Sequence, residues 1–202
     1  MGAPGLYAES ARSEKMTYSI VIPVYNKRPH VRRALESVLA QDTADYELIV
    51  INDASTDGSE EVIAAFSQQI DVRLHRATSG PGGYAARNLG VAQSSASWIA
   101  FLDADDKWEP DHLLALDRLR EQFPAAGALA TAYTDVAEAG GVQMNSYYRA
   151  QQEPQAHTLS LLDYLRSVRN GALPYRTSGF AIRRDVFDSI GGFPEGRCRR
   201  GG

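Results

Sequence analysis

Three aspartates, Asp103, Asp105 and Asp106, stand directly after an apolar run at residues 98–102. A short and nearly continuous apolar run favours a strand that is buried on both faces of a parallel sheet. Ligands of such sheets bind beyond the carboxyl ends of the strands, where these acids would lie. Carboxylate oxygens suit Mg²⁺ or Mn²⁺, so the acids predict a metal site. A solvated acidic turn before a helix is the alternative interpretation.

Candidate ligand-binding residues follow other predicted strands as well. Tyr25 and Asn26 follow the first strand, Asp53 ends the second, and Arg87 follows a glycine-rich segment at residues 79–83. The carboxyl ends of parallel strands meet at one edge of a sheet, so these residues should share a crevice with the acids. A nucleoside-diphosphate site can be built from four kinds of group: a carboxylate that accepts a hydrogen bond from the base, an aromatic ring that stacks on it, an arginine for the anionic oxygens, and acids that bind a metal. The candidate residues include all four. Considered singly, Asp53 is better explained by a turn and Arg87 by an exposed helix face.

The elements that must position these residues alternate between strand and helix. The predicted strands are residues 18–23, 46–53, 72–75 and 98–102, and each is followed by a segment with helical spacing of its apolar residues. Pro29 and Pro110 mark two of the helix starts, and Pro124 stops the last of these helices. Four such repeats predict an α/β fold with a mostly parallel central sheet, flanked by helices and joined by right-handed crossovers.

The remaining segments are predicted with less regular spacing. We expect a strand at residues 128–135, an irregular loop at 140–157, a helix at 158–168, a strand at 177–182 and a short helix at 184–190. Residues 1–16 are predicted to be a flexible leader, because they mix Gly, Pro, Ser and charges without periodicity. Residues 17–202 would form one domain, with a nucleotide-binding half at 17–124 and the start of an acceptor half at 125–202.

Composition excludes several classes of function. The chain has 202 residues, 44% hydrophobic and 23% charged, which is the composition of an ordinary soluble domain, and its formal net charge of −4 predicts no nucleic-acid partner. Cys198 is the single cysteine and the four histidines are scattered, so neither a disulfide framework nor a zinc site is expected. The sequence has no apolar run near the ~20 residues that span a membrane and no signal peptide, which predicts a cytoplasmic protein.

Four segments resemble the successive motifs of family 2 glycosyltransferases with a GT-A fold, and they occur in the family's order. They are SIVIPVYN at residues 19–26, ELIVINDASTDG at 47–58, AARNLG at 85–90 and FLDADD at 101–106. The likeness covers about residues 17–195, because SGFAIRR at 178–184 and IGGFPE at 190–195 are similar to a later strand and turn of the family.

The resemblance implies a role for each matching residue. Tyr25 would pack on the nucleotide base and Asp53 would recognise it, while Arg87 helps to hold the nucleotide. Asp103 would lie near the ribose and the metal. The resemblance implies that Asp105 ligates Mn²⁺ or Mg²⁺, with Asp103 or Asp106 as alternative ligands. The complete implied nucleotide-binding set is Pro23, Tyr25, Asn26, Asp53, Arg87 and Asp103.

By the same resemblance, the expected activity is metal-dependent transfer of a sugar, with inversion, from a nucleotide-sugar. A UDP-sugar is the expected donor, and a carbohydrate or a lipid-linked molecule is the expected acceptor. Peripheral association with the inner face of a membrane and an oligomeric state are left open. The family's catalytic base usually follows the turn at Gly191-Gly192-Phe193, and no such acid is evident before Gly202. The base is therefore expected beyond Gly202, and Glu195 is a poor substitute.

Two alternatives accompany this expectation. The chain itself is expected to be a C-terminally truncated catalytic domain, and the first alternative is a fragment that binds a nucleotide-sugar without turnover. The second is a phosphatase with Asp103 as the nucleophile, although Lys107 occupies a position where those enzymes usually carry Thr or Val. A Rossmann dinucleotide site is disfavoured, because the glycine-rich segment lacks the G-x-G-x-x-G spacing and does not follow the first strand.

Overall fold

Six strands form the central sheet, in the order 72–76, 46–52, 18–24, 98–101, 180–183 and 128–130. The computed structural model describes residues 16–67, 69, 72–76, 82–136, 140–144, 155–171 and 173–194. The strands are β1 (Tyr18–Val24), β2 (Tyr46–Asn52), β3 (Val72–Arg76), β4 (Trp98–Phe101), β5 (Ala128–Ala130), β6 (Thr134–Val136), β7 (Val142–Met144) and β8 (Phe180–Arg183). The helices are α1 (Arg28–Leu39), α2 (Ser59–Phe66), α3 (Gly83–Ala92), α4 (His112–Gln122), α5 (Leu161–Arg169) and α6 (Arg184–Ser189).

The predicted α/β class with a mostly parallel sheet is confirmed. β1, β2, β3 and β4 run parallel to one another, whereas β8 is antiparallel to both of its neighbours, β4 and β5. β6 and β7 pair as a separate antiparallel hairpin. The predicted leader and glycine-rich segment lie largely outside the described residues. No described helix is long and apolar enough to cross a membrane.

Several predicted boundaries were wrong. β1 continues through Pro23 to Val24, because its pairing with β4 stops at Val21 opposite Phe101 and the proline meets only β2 there. The strand predicted at 128–135 is two short strands, and β7 lies inside the predicted loop. The strand predicted at 177–182 begins only at Phe180, because residues 177–179 form a 3₁₀ turn.

The central strands β1, β2 and β4 are buried on both faces, as their apolar sequences require, whereas the edge strands β3 and β5 are partly exposed. Ile20, Ile22 and Val24 of β1 belong to the core that lies under α1, α2 and α4. Val21 faces the opposite layer, which contains residues of α3 and α6. Gly90 permits this second contact, because a Cβ at that position would lie 2.3 Å from Cγ1 of Val21. Helices therefore cover both faces and leave the strand ends for the site.

One buried carboxylate joins the parallel strands at their amino ends. Glu47 of β2 accepts a hydrogen bond from the Ser19 hydroxyl of β1 at 2.6 Å and from the backbone N–H groups of Ser95 and Ala96, just before β4. Arg73 of β3 lies 2.7 Å from its other oxygen in an ion pair. Burial alone would raise the pKa of Glu47, but the serine hydrogen bonds and the charge of Arg73 hold that pKa below its ordinary value. This carboxylate therefore helps to set the register of the strands that carry the site.

Glu47→Gln should lower the free energy of unfolding at pH 7 by about 1–3 kcal/mol, because hydrogen bonds to a charged group are weakened. The pKa of Glu47 is lowered by folding, so its stabilising effect is complete above the ordinary value of 4.5 and is lost as the pH falls through the folded-state pKa. Urea unfolding at pH 7 and at about pH 3.5 measures both effects.

Glu36→Gln is the matched control, since Glu36 is exposed on α1 and lies 3.9 Å from Arg32. It should change stability by less than about 0.5 kcal/mol. An equal loss in both variants, or a Glu47→Gln deficit that persists unchanged at low pH, would contradict the role assigned to Glu47.

Candidate functional site

A cleft of about 380 Å³ opens at the carboxyl ends of β1, β2 and β4. Its floor comes from the strand ends, and one wall comes from the first turn of α3. Six of the residues predicted for the site line it, together with residues that the sequence did not single out. The lining residues are Pro23, Val24, Tyr25, Lys27, Asp53, Gly82, Gly83, Ala86, Arg87, Asp103, Ala104 and Asp105.

Two predicted site residues lie outside this lining. Asn26 has a positive φ of 51°, a conformation that Asn tolerates better than most residues. Its backbone N–H donates to the Ser55 hydroxyl at 3.0 Å, and its side-chain oxygen accepts from the Thr56 N–H at 2.9 Å. Asn26 therefore joins the loops that follow β1 and β2. Asp106, the other residue, faces the later half of the chain.

Asp53 and Tyr25 lie at the end of the cleft formed by β1 and β2. Asp53 is only 4% exposed. Its N–H donates to the carbonyl of Val24 at 2.8 Å, and its carboxylate accepts from the N–H of Gly82 at 2.8 Å. Gly82 precedes α3, so the Asp53 carboxylate binds the amino end of that helix, where negative charge is favoured. The Tyr25 ring is 44% exposed at the cleft.

Arg87 is held in the cleft by groups from two distant segments. It forms an ion pair with Asp103, in which the Arg87 side chain is 12% exposed. It also donates to the carbonyl of Gly83 at 3.0 Å, and its guanidinium lies 5.9 Å from the centre of the Phe193 ring. The guanidinium is therefore fixed beside the acids, and its buried Nε–H is unpaired among the described residues.

The turn before Phe193 is tied to the same helix. Asn88 donates to the Phe193 carbonyl and accepts from the Phe193 N–H, both at 2.9 Å. The Phe193 ring stacks on Tyr84, with the centroids 5.5 Å apart and the planes 2° apart. The sequence identified the Gly-Gly-Phe turn but not this contact with α3. The pairing joins the end of the described chain to the helix that carries Arg87.

Each of the three clustered acids has a different partner. Asp103 pairs with Arg87, Asp105 lies 2.6 Å from the Lys27 ammonium, and Asp106 accepts from the Ser178 hydroxyl at 2.5 Å. Neither Lys27 nor Ser178 was predicted to be a site residue. A cation directly after Tyr25 and Asn26 was a visible signal for Lys27. Ser178 opens the SGFAIRR motif, which was interpreted only as part of a strand.

Ser178 orders the acidic loop from the later half of the chain. Its hydroxyl accepts from the N–H of Asp103 at 3.0 Å while it donates to Asp106. Its carbonyl accepts from the indole N–H of Trp108, which follows the acids. Asp106 in turn donates its backbone N–H to the Asp103 carbonyl at 3.0 Å. The 3₁₀ turn that contains Ser178 thus fixes the conformation of the loop.

The local charges move the pKa values of two of these acids in opposite directions. Burial would raise the pKa of Asp105, but the hydrogen bond and charge of Lys27 lower it below the ordinary value. Burial raises the pKa of Asp106, and the charges of Asp103 and Asp105 raise it further, against the Ser178 hydrogen bond and the charge of Arg176. Asp105 is therefore the acid that is kept ionised, and Asp106 the one whose ionisation is opposed.

The donor chemistry of this loop fits a divalent cation that takes most of its ligands from elsewhere. The described residues contain no group of three His, Cys, Asp or Glu side chains that could hold a metal ion. Asp103 and Asp105, however, both line the cleft with carboxylate oxygens. Mg²⁺ is commonly bound by one or two carboxylates together with water and substrate phosphates. The carboxylates of Asp103 and Asp105 therefore suit a metal ion that also binds an anionic ligand.

A family model described as Glycosyl transferase family 2 matches residues 19–191. The chain is 32% identical over 181 residues to an uncharacterized glycosyltransferase of Nostoc sp., covering 87% of this chain and 53% of that protein. It is 31% identical over 182 residues to the glycosyltransferase AglE of Haloferax volcanii, covering 87% of this chain and 55% of AglE. The chain thus spans about half the length of these two relatives.

Solved structures with a similar fold include residues 1–349 of S. aureus TarS in complex with UDP-GlcNAc, with a TM-score of 0.70 and 19% identity. That match covers 89% of this chain and 49% of the TarS chain. The mannosyltransferase PcManGT of Pyrobaculum calidifontis, solved with GDP-Man and Mn²⁺, has a TM-score of 0.64 and 19% identity. It is matched over 90% of this chain and 48% of its own. At these identities the likeness concerns the fold.

Asp106→Asn should raise the free energy of unfolding at pH 7 by less than about 0.5 kcal/mol. It removes a partly desolvated charge that Asp103 and Asp105 repel, and solvent screens this exposed side chain. The pKa of Asp106 is raised by folding, so its ionisation opposes folding at neutral pH. This cost disappears below the ordinary pKa of 3.8, where both states bind the proton. Urea unfolding at pH 7 and at about pH 3.5 measures the difference.

Glu109→Gln removes one carboxylate charge three residues away, at an exposed side chain that lies 3.3 Å from Lys107. It should leave stability unchanged or slightly lower it. If Asp106→Asn is the less stable chain at pH 7, the Ser178 hydrogen bond outweighs the repulsion, and the assignment is wrong.

Proposed function

This chain belongs to glycosyl transferase family 2 and has the GT-A fold, and we propose that it transfers a sugar, with inversion, from a nucleoside diphosphate-sugar to an acceptor hydroxyl, releasing the nucleoside diphosphate. The observation that carries the proposal is the presence of Tyr25, Asp53, Arg87, Asp103 and Asp105 in one cleft. The proposal keeps the division into a nucleotide-binding half at 17–124 and an acceptor half at 125–202.

The base of the nucleotide would bind between Tyr25 and Asp53. The half-exposed Tyr25 ring offers an apolar face for stacking. A buried carboxylate selects strongly for ligands that can donate to it, because a mismatched ligand leaves it unpaired. Asp53 is fixed by its bond to Gly82, so a base N–H is the donor that we propose for its remaining acceptor capacity.

The diphosphate would lie toward Arg87 and the acidic loop. Arg87 presents a planar set of donors suited to phosphate oxygens, and Asp103 holds it in place. Asp105 and Asp103 are the residues that we propose to hold Mn²⁺ or Mg²⁺. Asp106 is less suited, because it lies outside the cleft lining and its ionisation is opposed. A divalent cation at this position supplies positive charge that stabilises a departing diphosphate. Arg87 would contribute in the same sense through its own charge.

UDP is the nucleotide that we propose, with GDP as the alternative to be tested. One structure of similar fold was solved with UDP-GlcNAc and another with GDP-Man and Mn²⁺. The acceptor is proposed to be a carbohydrate or a lipid-linked molecule, which would bring a cytoplasmic domain to the inner face of a membrane. No residue is assigned as catalytic base. Family membership supports glycosyl transfer over an aspartyl-phosphate mechanism at Asp103.

Isothermal titration calorimetry with UDP, GDP and dTDP, with and without Mn²⁺ or Mg²⁺, tests this proposal. UDP should bind most tightly, and its affinity should rise with the metal. Asp105→Asn should remove the metal-dependent gain and weaken binding by about tenfold or more, since a ligand to the cation is lost. Asp53→Asn should reduce the ratio between the affinities for UDP and for the other nucleotides by about tenfold, because one hydrogen bond from the base to a charged group is lost.

The control for both variants is Glu109→Gln, which alters charge near the acidic loop without altering the cleft lining. Circular dichroism must show each protein folded. The proposal would be overturned if well-folded protein bound none of the three nucleotides in the presence of Mn²⁺ or of Mg²⁺. Covalent attachment of phosphate to Asp103, after incubation with a phosphomonoester, would favour the phosphatase.

A further inference from the structure

The carboxylate of Asp105 is already paired with a cation of this chain. The Lys27 ammonium lies 2.6 Å from its Oδ2, and the two side chains are 37% and 45% exposed, respectively. Arg33 reinforces the contact by donating from its guanidinium to the backbone carbonyl of Asp105. Two basic residues from the segment after β1 therefore approach the acid that is the foremost candidate for a metal ligand.

The backbone of Lys27 is fixed where α1 begins. Its N–H donates to the Ser59 hydroxyl at 3.0 Å. Its carbonyl accepts from the N–H groups of His30 and Val31 at 2.9 and 2.8 Å. Only the flexible side chain of Lys27 can therefore change position, and it lines the same cleft as Arg87.

An ammonium and a divalent cation cannot both bind the same carboxylate oxygen without strong repulsion. A divalent ion on either oxygen of Asp105 would lie near the ammonium, and like charges so close together repel each other. Lys27 must therefore leave Asp105 when a metal binds there. The cleft gives the displaced ammonium an alternative partner, because the proposed diphosphate would bring several anionic oxygens to the same lining.

We propose that Lys27 acts as a resident cation on Asp105, which a divalent ion displaces, and that the released ammonium then binds the diphosphate of the donor. This inference rests on the proposed function. Lys27 would lower the affinity of the free protein for metal, and would raise the affinity of the metal-bound protein for nucleotide. The two ligands are then coupled, because the metal releases a positive charge that the nucleotide uses.

Lys27→Gln has opposite expected effects on the two ligands. Without nucleotide, its affinity for Mn²⁺ should rise about two- to fivefold, the contribution of an exposed ion pair. With saturating Mn²⁺, its affinity for UDP should fall about tenfold, the contribution of a charge-assisted hydrogen bond. The free Mn²⁺ signal in electron paramagnetic resonance measures the first quantity, and calorimetry measures the second.

Two variants separate direct contact from a general change of charge. Lys107→Gln removes the same charge two residues from Asp105, but Lys107 pairs with Glu109 at 3.3 Å and lies outside the cleft lining. It should change either affinity by less than about twofold. Lys27→Arg keeps the positive charge and should retain the low Mn²⁺ affinity of the unmodified chain.

Three outcomes would contradict the role proposed for Lys27. If Lys27→Gln binds Mn²⁺ as the unmodified chain does, or shifts no more than Lys107→Gln, Lys27 is not a resident cation. If UDP binds but no variant binds Mn²⁺, the inference is overturned while nucleotide binding stands. If folded protein binds neither UDP nor GDP under any condition, the proposed function itself fails, and the inference fails with it.

Discussion

Repulsion among three carboxylates is the constraint on which the site depends. Asp103, Asp105 and Asp106 stand within four residues, and the chain gives each one a partner from a different element. The partners are Arg87 from α3, Lys27 from the start of α1 and Ser178 from the 3₁₀ turn before β8. The acidic loop therefore draws three separate parts of the chain together. Because an unpaired acid would cost free energy, these contacts favour one arrangement of the loop.

The two ends of the parallel sheet use carboxylates for different purposes. At the amino ends, Glu47 is 7% exposed and is bound by groups from β1, β3 and the segment before β4. At the carboxyl ends, the acids face a cleft, and the Asp105 pair is more than a third exposed on both sides. A buried charge with several partners is costly to unpair, whereas exposed pairs contribute little and exchange readily. The buried Glu47 at the amino ends thus stabilises the strands whose carboxyl ends carry the exposed, exchangeable ion pair of Asp105.

The later half of the chain supports the cleft, and none of its described residues lines it. Ser178 orders the acidic loop. Phe193 packs beside Arg87, and the side chain of Asn88 forms two hydrogen bonds with the backbone of Phe193. The predicted division into two halves is therefore not a division of the site. A change in the turn at residues 191–193 would be transmitted to Arg87 through α3, since the ring of Phe193 stacks on Tyr84 of the same helix.

The sequence by itself determined the parallel strands and the acids at their ends. Apolar runs, helical spacing and strand-end residues are local signals, and parallel strands necessarily bring Asp53, Arg87 and Asp105 to one edge. Only the tertiary structure decided which partner each acid has, that Asn26 joins two loops instead of lining the cleft, and that β8 inserts antiparallel between β4 and β5. Lys27 and Asp105 are 78 residues apart, and Ser178 and Asp106 are 72 apart. Such contacts depend on how complete elements pack against each other, and no local pattern of residues encodes that packing.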